Sequence, residues 1–281
     1  MGNRLQRVMA GFLSDSEFEK FSTLIYNESG IHFSSTNRTI LESRLKERLK
    51  AASLEQVSAY YQLILQNREE LKILLDSVTT NLTRFFRNTA HFTAFENYVI
   101  PHFVQYKEKK NSNRLRLWCA GCSTGEEPYS LAMVLKEKLP INLSIEITGS
   151  DLSLKSLMTA QEGFYPETRI SGVPPYYLSK YFEKKRDGYQ IKADIKSLIK
   201  FDYHNLKYDS GLRNMDVVFC RNVLIYFDAE AQRASVKRFW EVMNAHSFLF
   251  IGHSESLFGM ETNFEFVKTE WATFYRKWLD H

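Results

Sequence analysis

An open parallel α/β sheet preceded by an all-helical segment is the architecture this sequence predicts. Three observations carry that expectation. Residues 14–110 are almost wholly helical in pattern. From Arg114 onward, short apolar runs alternate with helical stretches, as in a parallel sheet with helices on both faces. Residues 115–132, LRLWCAGCSTGEEPYSLA, pass from an apolar run through a glycine-bearing turn into a helical pattern. That is the strand–turn–helix step at which open α/β sheets bind nucleotides.

In chain order, Ser14 and Asp15 stand where a helix cap belongs, ahead of an i, i+3, i+4 stripe of Phe18, Phe21, Leu24 and Ile25. After the break Gly30-Ile31-His32-Phe33, a second helix is expected over residues 39–52, with Ile40, Leu41, Leu45 and Leu49 inward. Its other positions set Arg38, Arg44, Lys46, Arg48 and Lys50 against Glu42 and Glu47. Further helices fit residues 55–65 and 68–78, and the helical segment is expected to end near residue 80. Strand-like runs follow at 115–120, 145–149, 199–201, 216–220 and 248–251, with helices at 128–137, 154–161 and 229–244 between several of them. Two last runs, 265–269 and 273–278, predict an antiparallel hairpin that closes the sheet. Asp187-Gly188, between YFEKK and YQIK, is a hairpin signal. It predicts a small antiparallel appendage at about 174–200, inserted before the third core strand.

Composition bounds the function. With 281 residues, 44% apolar, and 21 Phe, 15 Tyr and 4 Trp, the chain has room for a substantial core. A net charge of +4 does not point to nucleic acid. No apolar run approaches the roughly 20 residues of a membrane span. The N-terminal stretch lacks a long apolar signal core. Met1-Gly2-Asn3 begins like a myristoylation site, but Gln6 stands where Ser or Thr is required. The expectation is a cytoplasmic protein without membrane insertion and without a nucleic-acid partner. Three cysteines argue against a disulfide framework. Cys119 and Cys122 form a C-x-x-C, but no second pair follows and both lie in a turn that needs small residues, so no metal is expected.

The turn at residues 121–125 lacks the Lys-Ser/Thr of a phosphate loop. Glu126 and Glu127 at the helix start would repel phosphate, whereas the helix dipole tolerates carboxylates there. Such a site suits a nucleoside ligand with hydroxyls, amines or positive charge. S-adenosylmethionine fits that description and ATP does not. Asp151, after the second core strand, has the chemistry to accept hydrogen bonds from ribose hydroxyls, although it can also serve as a helix cap. Asn205, after the third, offers a donor and an acceptor to an adenine edge, and Leu206 can cover its face.

Six ordered blocks make a resemblance clear: TTNLTRFFRNTAHF (79–92), WCAGCSTGEEPYSLA (118–132), GSDLSLKSLMTAQEGFY (149–165), FDYHNL (201–206), VVFCRNVLIYFD (217–228) and GHSESLFG (252–259). In order and spacing the chain resembles the chemoreceptor glutamate methyltransferases, the CheR family, over nearly its whole length. The resemblance implies a class I methyltransferase-like (Rossmann-like) sheet with a terminal antiparallel hairpin and a small β-subdomain insertion. An all-α N-terminal domain over 1–80 would precede a methyltransferase domain over 81–281. It implies S-adenosylmethionine as cofactor, S-adenosylhomocysteine as product, and methyl transfer to glutamates on the cytoplasmic domains of transmembrane chemoreceptors.

The same resemblance assigns roles. Asn81, Thr83 and Arg87 would lie over the cofactor. Arg87 and Tyr226 are the catalytic candidates from their own chemistry: Arg87 can pair with the methionine carboxylate and orient the acceptor, and Tyr226 is either a hydroxyl aimed at the sulfonium or the acceptor, or a core-edge tyrosine beside Phe227. Gly121 belongs to the cofactor turn. Glu127, the second Glu of GEE, would touch the cofactor, with Glu126 subordinate to it. Asp151 would hold the ribose, Asn205 and Leu206 the adenine, and Arg221 and Asn222 further parts of the cofactor. Arg38, Arg44, Lys46, Arg48 and Lys50 form either a receptor-docking face or an ordinary solvated helix face. The loop KKRDG is short, so tight binding of a receptor's C-terminal tether peptide is not expected. His253-Ser254-Glu255 has no G-x-S-x-G elbow and is expected to shape a loop. A small-molecule or RNA methyltransferase on the same fold, and a non-catalytic cofactor-sensing module, are the alternatives.

Overall fold

The computed structural model describes residues 12–79, 81–109 and 113–279. The Met1-Gly2-Asn3 start lies outside the described residues. The chain forms two compact units: Met1–Thr80 with Tyr226–Asp228, and Asn81–Ile225 with Ala229–His281.

Among the described residues, the first unit holds four α-helices, α1 (Asp15–Ser29), α2 (Arg38–Ala51), α3 (Val57–Gln66) and α4 (Arg68–Val78). Helix α1 begins with a capping box, in which Glu17 N–H donates to Ser14 Oγ at 3.3 Å and Ser14 N–H to Glu17 Oε2 at 2.9 Å. Two expectations change here. Ile40 is half exposed, so the buried stripe of α2 is Leu41, Leu45 and Leu49. The basic residues do not share one face either. Arg44 and Arg48 flank that stripe on one side, Lys46 and Lys50 on the other, as i, i+4 spacing requires. Four of the five are engaged within the unit: Arg44 pairs with Glu47 at 3.5 Å and Lys46 lies 4.9 Å from the centroid of the Phe12 ring. Arg38 binds Asp15 Oδ1 at 2.5 Å and Glu42 Oε1 at 3.1 Å. Arg48 binds both oxygens of Glu70, at 2.6 and 2.9 Å, and Glu70 also accepts from the Tyr60 hydroxyl at 2.7 Å.

The second unit begins with an irregular segment, residues 81–88, rather than the helix expected there. Phe86 and Asn88 have positive φ values of 51° and 62°, which a helix cannot accommodate. Two aromatic anchors fix the segment. Phe85 packs edge-on against Tyr165 and Phe182, at 4.8 and 5.4 Å, and Phe86 stacks on Tyr177 at 5.0 Å. Helix α5 (Thr89–Ala94) then runs through a π-helical turn, Phe95–Val99, into α6 (Ile100–Lys109).

Seven strands build the main sheet. They are β1 (Arg114–Ala120), β2 (Ser144–Asp151), β6 (Ile199–Tyr203), β7 (Met215–Cys220), β8 (Met243–Ile251), β9 (Glu265–Lys268) and β10 (Thr273–Lys277), in the order β6-β2-β1-β7-β8-β10-β9. The first five are parallel and β10 is antiparallel to both neighbours. This is the class I methyltransferase-like sheet with its terminal hairpin. Every residue of β7 is buried, as a central parallel strand covered on both faces must be. Its Phe219 stacks on Phe250 of β8 at 4.5 Å, and Phe250 stacks on Phe274 of β10 at 4.8 Å.

Helices α7 (Glu126–Lys138), α8 (Leu154–Glu162) and α11 (Ala229–Val242) connect strands. The appendage has three strands in the order β3-β5-β4: β3 (Phe164–Pro166), β4 (Phe182–Lys185) and β5 (Gly188–Ile191). It therefore starts ten residues before the expected boundary. A helix α9 (Pro175–Tyr181) precedes β4 and a short α10 (Ala193–Lys196) follows β5. The hairpin turn is Arg186-Asp187, and Gly188 already pairs with Lys185. A Cβ on Gly188 would lie 2.3 Å from the Tyr165 carbonyl oxygen, so glycine is needed for strand contact rather than for the turn.

The chain leaves β1 toward β2 and β6 and later returns to β7 on the other side of β1. Strand order therefore reverses beside β1. The crevice at such a switch point, outside the C-terminal strand ends, is where open sheets bind ligands.

Candidate functional site

The turn after β1 is held from below by β2. Gly121 and Cys122 N–H both donate to the Ser150 carbonyl, at 2.8 and 2.9 Å. Ser123 N–H donates to Asp151 Oδ2 at 2.7 Å, and Ser153 N–H to Asp151 Oδ1 at 2.9 Å. The Asp151 carboxylate is thus fixed between two backbone amides at the end of β2. Gly121 has φ 79°, and a Cβ there would fall 2.4 Å from Val223 Cγ2, so this position admits no side chain. Asn81 joins the same turn, its Oδ1 accepting from Ser123 Oγ at 3.4 Å.

The two glutamates of GEE have separate tasks. Glu126 is fully buried and locks the turn, accepting from Thr124 Oγ1 at 2.7 Å and pairing with Arg169. Burial pushes its carboxyl above the ordinary value in spite of Arg169. Glu127 is bound by a residue 94 positions away: Arg221 Nε donates to Glu127 Oε2 at 2.6 Å. The sequence reading treats Arg221 and Glu127 as independent cofactor contacts; the structure makes them a buried pair. Arg221 also donates from Nη1 to the Arg87 carbonyl at 2.7 Å, and the same nitrogen lies 3.4 Å from His91 Nδ1. Burial, followed by the charge of Arg221, lowers the His91 pKa to about 4.

A second anchor lies at the end of β8. Glu255 accepts from Asn222 N–H at 2.9 Å, from Ile225 N–H at 3.2 Å and from Gly252 N–H. Glu255 therefore ties the loop after β7 to the loop after β8, and Asn222 is held at φ 60°. The expectation that His253-Ser254-Glu255 shapes a loop rests here on one carboxylate.

Between these anchors opens a cavity of about 560 Å³ lined by Leu82, Thr83, Arg84, Arg87, Asn88, Arg221, Asn222, Gly252 and His253. It collects four of the expected residues: Thr83, Arg87, Arg221 and Asn222. Arg87 Nη1 donates to the Leu82 carbonyl at 2.7 Å. Gly121, Glu127 and Asp151 belong to the adjoining turn through the bonds above. Asn205 and Leu206 follow β6, with Asn205 Oδ1 accepting from Lys207 N–H at 3.0 Å and Leu206 buried. Tyr226 belongs to the helical unit, where its carbonyl accepts from His32 N–H at 2.9 Å and its neighbour Phe227 bridges Ile31. Leu82, Arg84, Asn88, Gly252 and His253 escaped the sequence reading as cavity residues. The available signal was adjacency, since each stands inside a block that had been singled out.

The three cysteines are buried, and burial holds each thiol well above its ordinary value. They act as small packing groups, not as thiolates. Among the described residues there is no cluster of three or more His, Cys, Asp or Glu arranged to hold a metal, and no helix long and apolar enough to cross a membrane.

Two family models match the chain. The CheR methyltransferase all-alpha domain matches residues 16–79, and the CheR methyltransferase SAM-binding domain matches residues 81–273. The chain is similar to the chemotaxis protein methyltransferase of Borreliella burgdorferi, with 33% identity over 91% of this chain and 93% of that protein. It is similar to chemotaxis protein methyltransferase 2 of Vibrio cholerae, with 32% identity over 94% of each. The chemotaxis protein methyltransferase of Escherichia coli is 31% identical over 90% of this chain and 88% of its own length.

Proposed function

This chain belongs to the CheR methyltransferase family, and from that premise we propose that it methylates glutamate side chains on the cytoplasmic domains of chemoreceptors. The observation that carries the reading is the match of both family domains in one chain. A Rossmann-like sheet alone does not choose an acceptor; the paired helical domain and the chemotaxis relatives favour a receptor.

S-adenosylmethionine is the methyl donor, and the residues present fit it. Gly121 lets the backbone approach closely, and Asp151 presents a fixed carboxylate suited to ribose hydroxyls. Asn205 and Leu206 suit the adenine, and Arg87 the methionine carboxylate. When bound, the cofactor would supply an electrophilic methyl group on a sulfonium, with a neutral thioether as its leaving group.

A glutamate acceptor, with an ordinary pKa near 4.3, is already ionised at neutral pH. No residue of this chain has to remove a proton. Its work is to align the two reactants and exclude water, and alignment alone is worth up to about 7–11 kcal/mol of barrier. Arg87 serves that alignment from the cavity wall. Tyr226 is proposed, from the chemistry of its hydroxyl, to face the sulfonium or the acceptor. For receptor docking, α2 offers Arg44, Lys46 and Lys50, because Arg38 and Arg48 are tied to Asp15 and Glu70 of other parts of the unit, whereas, among the described residues, Arg44 pairs only with Glu47 of its own helix and Lys46 only with the Phe12 ring. The two-residue β4–β5 turn offers little to grip, so tight capture of a receptor tether is not part of the proposal.

The test is the product. Incubated with methyl-labelled S-adenosylmethionine and a receptor cytoplasmic fragment, the protein should place label on glutamates as esters that mild base releases as methanol. Base-stable label, or label on RNA or a small molecule in place of the fragment, would contradict the proposal.

A further inference from the structure

The cavity beside the turn is more basic than its cofactor requires. Its charged or titratable lining residues are Arg84, Arg87, Arg221 and His253, with no carboxylate among them. The carboxylates that bond to its lining residues are thereby committed, Glu127 to Arg221 and Glu255 to three backbone amides. S-adenosylmethionine carries one carboxylate against an ammonium and a sulfonium, so it brings net positive charge. One guanidinium suffices for its carboxylate, and a second cation facing the same ligand would repel it. The surplus positive charge fits an anion that enters separately.

The individual cations can be sorted. Arg221 is buried and held by Glu127 and the Arg87 carbonyl. Arg87 is turned to the Leu82 carbonyl and is the group proposed for the cofactor carboxylate. Arg84 is exposed on the cavity wall, and among the described residues it has no hydrogen-bond or ion-pair partner. It stands on the irregular segment fixed by Phe85 and Phe86, so its backbone is anchored while its fork is open to a ligand.

We propose that Arg84 receives the acceptor's carboxylate and selects acidic side chains for this site. The proposal rests on the methyl-transfer reading above and names the residue that gives the cavity its preference. Guanidinium and carboxylate match as a two-pronged pair, a geometry an ammonium cannot reproduce.

The experiment compares Arg84→Ala and Arg84→Lys with the unaltered protein. Affinity for S-adenosylhomocysteine is measured by calorimetry, binding of an acidic receptor fragment to the S-adenosylhomocysteine-loaded protein by titration, and turnover in parallel. Arg84→Ala should weaken fragment binding and raise its KM about tenfold, leave the S-adenosylhomocysteine affinity unchanged, and flatten the salt dependence of KM; Arg84→Lys should recover part of the loss. Unchanged fragment binding, or an equal loss of S-adenosylhomocysteine affinity, would overturn the assignment. Weaker fragment binding in Arg84→Ala, with no methyl transfer even by the unaltered protein, would uphold Arg84 as the carboxylate receptor and overturn the reaction assigned to the site.

Discussion

Arg221→Ala is expected to destabilise the protein by about 3–5 kcal/mol and to abolish most methyl transfer. The side chain of Arg221 is only 4% exposed and that of Glu127 12%, so truncation strands a largely buried carboxylate. It also leaves the Arg87 carbonyl without its donor, and with it the segment that carries Thr83, Arg84 and Arg87. Urea unfolding separates the two effects. The double variant Arg221→Met, Glu127→Gln removes both charges and should regain much of the stability, since a buried pair replaced as a whole costs far less than a pair broken. Activity should stay low in the double variant, because the loop has lost its tie. A single variant that loses less than about 1 kcal/mol would show that the pair is not the clamp described.

The second large effect is a loss of stability in mild acid. His91 is 4% exposed and its pKa is lowered to about 4. At neutral pH His91 is uncharged whether the chain is folded or not, and nothing is lost. Below the ordinary histidine value of about 6.5, the unfolded chain binds a proton that folded His91 refuses. Stability therefore falls as pH drops toward about 4, by on the order of 3 kcal/mol across the window, and the loss is complete below it. In denaturant titrations from pH 7.5 to 4, His91→Asn should reduce the slope of unfolding free energy against pH by about one proton, or about 1.4 kcal/mol per pH unit. Equal slopes in variant and parent would contradict a neutral His91 beside Arg221.

Much of this was legible along the chain because the determinants were local. The apolar runs located all seven strands of the main sheet, and the residues just past their ends include those of the turn, Asp151 and part of the cavity lining. What escaped depends on partners far apart in sequence. Nothing near Arg221 announces that Glu127, 94 positions away, and His91, 130 positions away, will meet it. Glu255 reads as a loop acid until three amides from two strand ends converge on it. Ile40 fits the helical stripe by hydrophobicity yet faces outward, because Leu41, Leu45 and Leu49 already complete the buried face of α2. Strand β3 is three residues ending in proline, too short to show a period, and exists because β5 pairs with it. The irregular 81–88 segment lies inside the stretch 14–110 that is helical in pattern almost throughout; the anchoring of Phe85 and Phe86 on the β3–β5 appendage region and α9 takes it out of the helix.

We propose that the turn after β1 and the cavity beside Arg87 form one methyl-donor site. The most direct measurement is a crystal structure of the protein with S-adenosylhomocysteine. The ribose is expected on Asp151, the adenine beside Asn205 and Leu206, and the amino-acid carboxylate on Arg87, with Arg84 still open to an acceptor. A ligand bound away from the Asp151 carboxylate, or one whose carboxylate sits on Arg84 and leaves Arg87 unused, would contradict it.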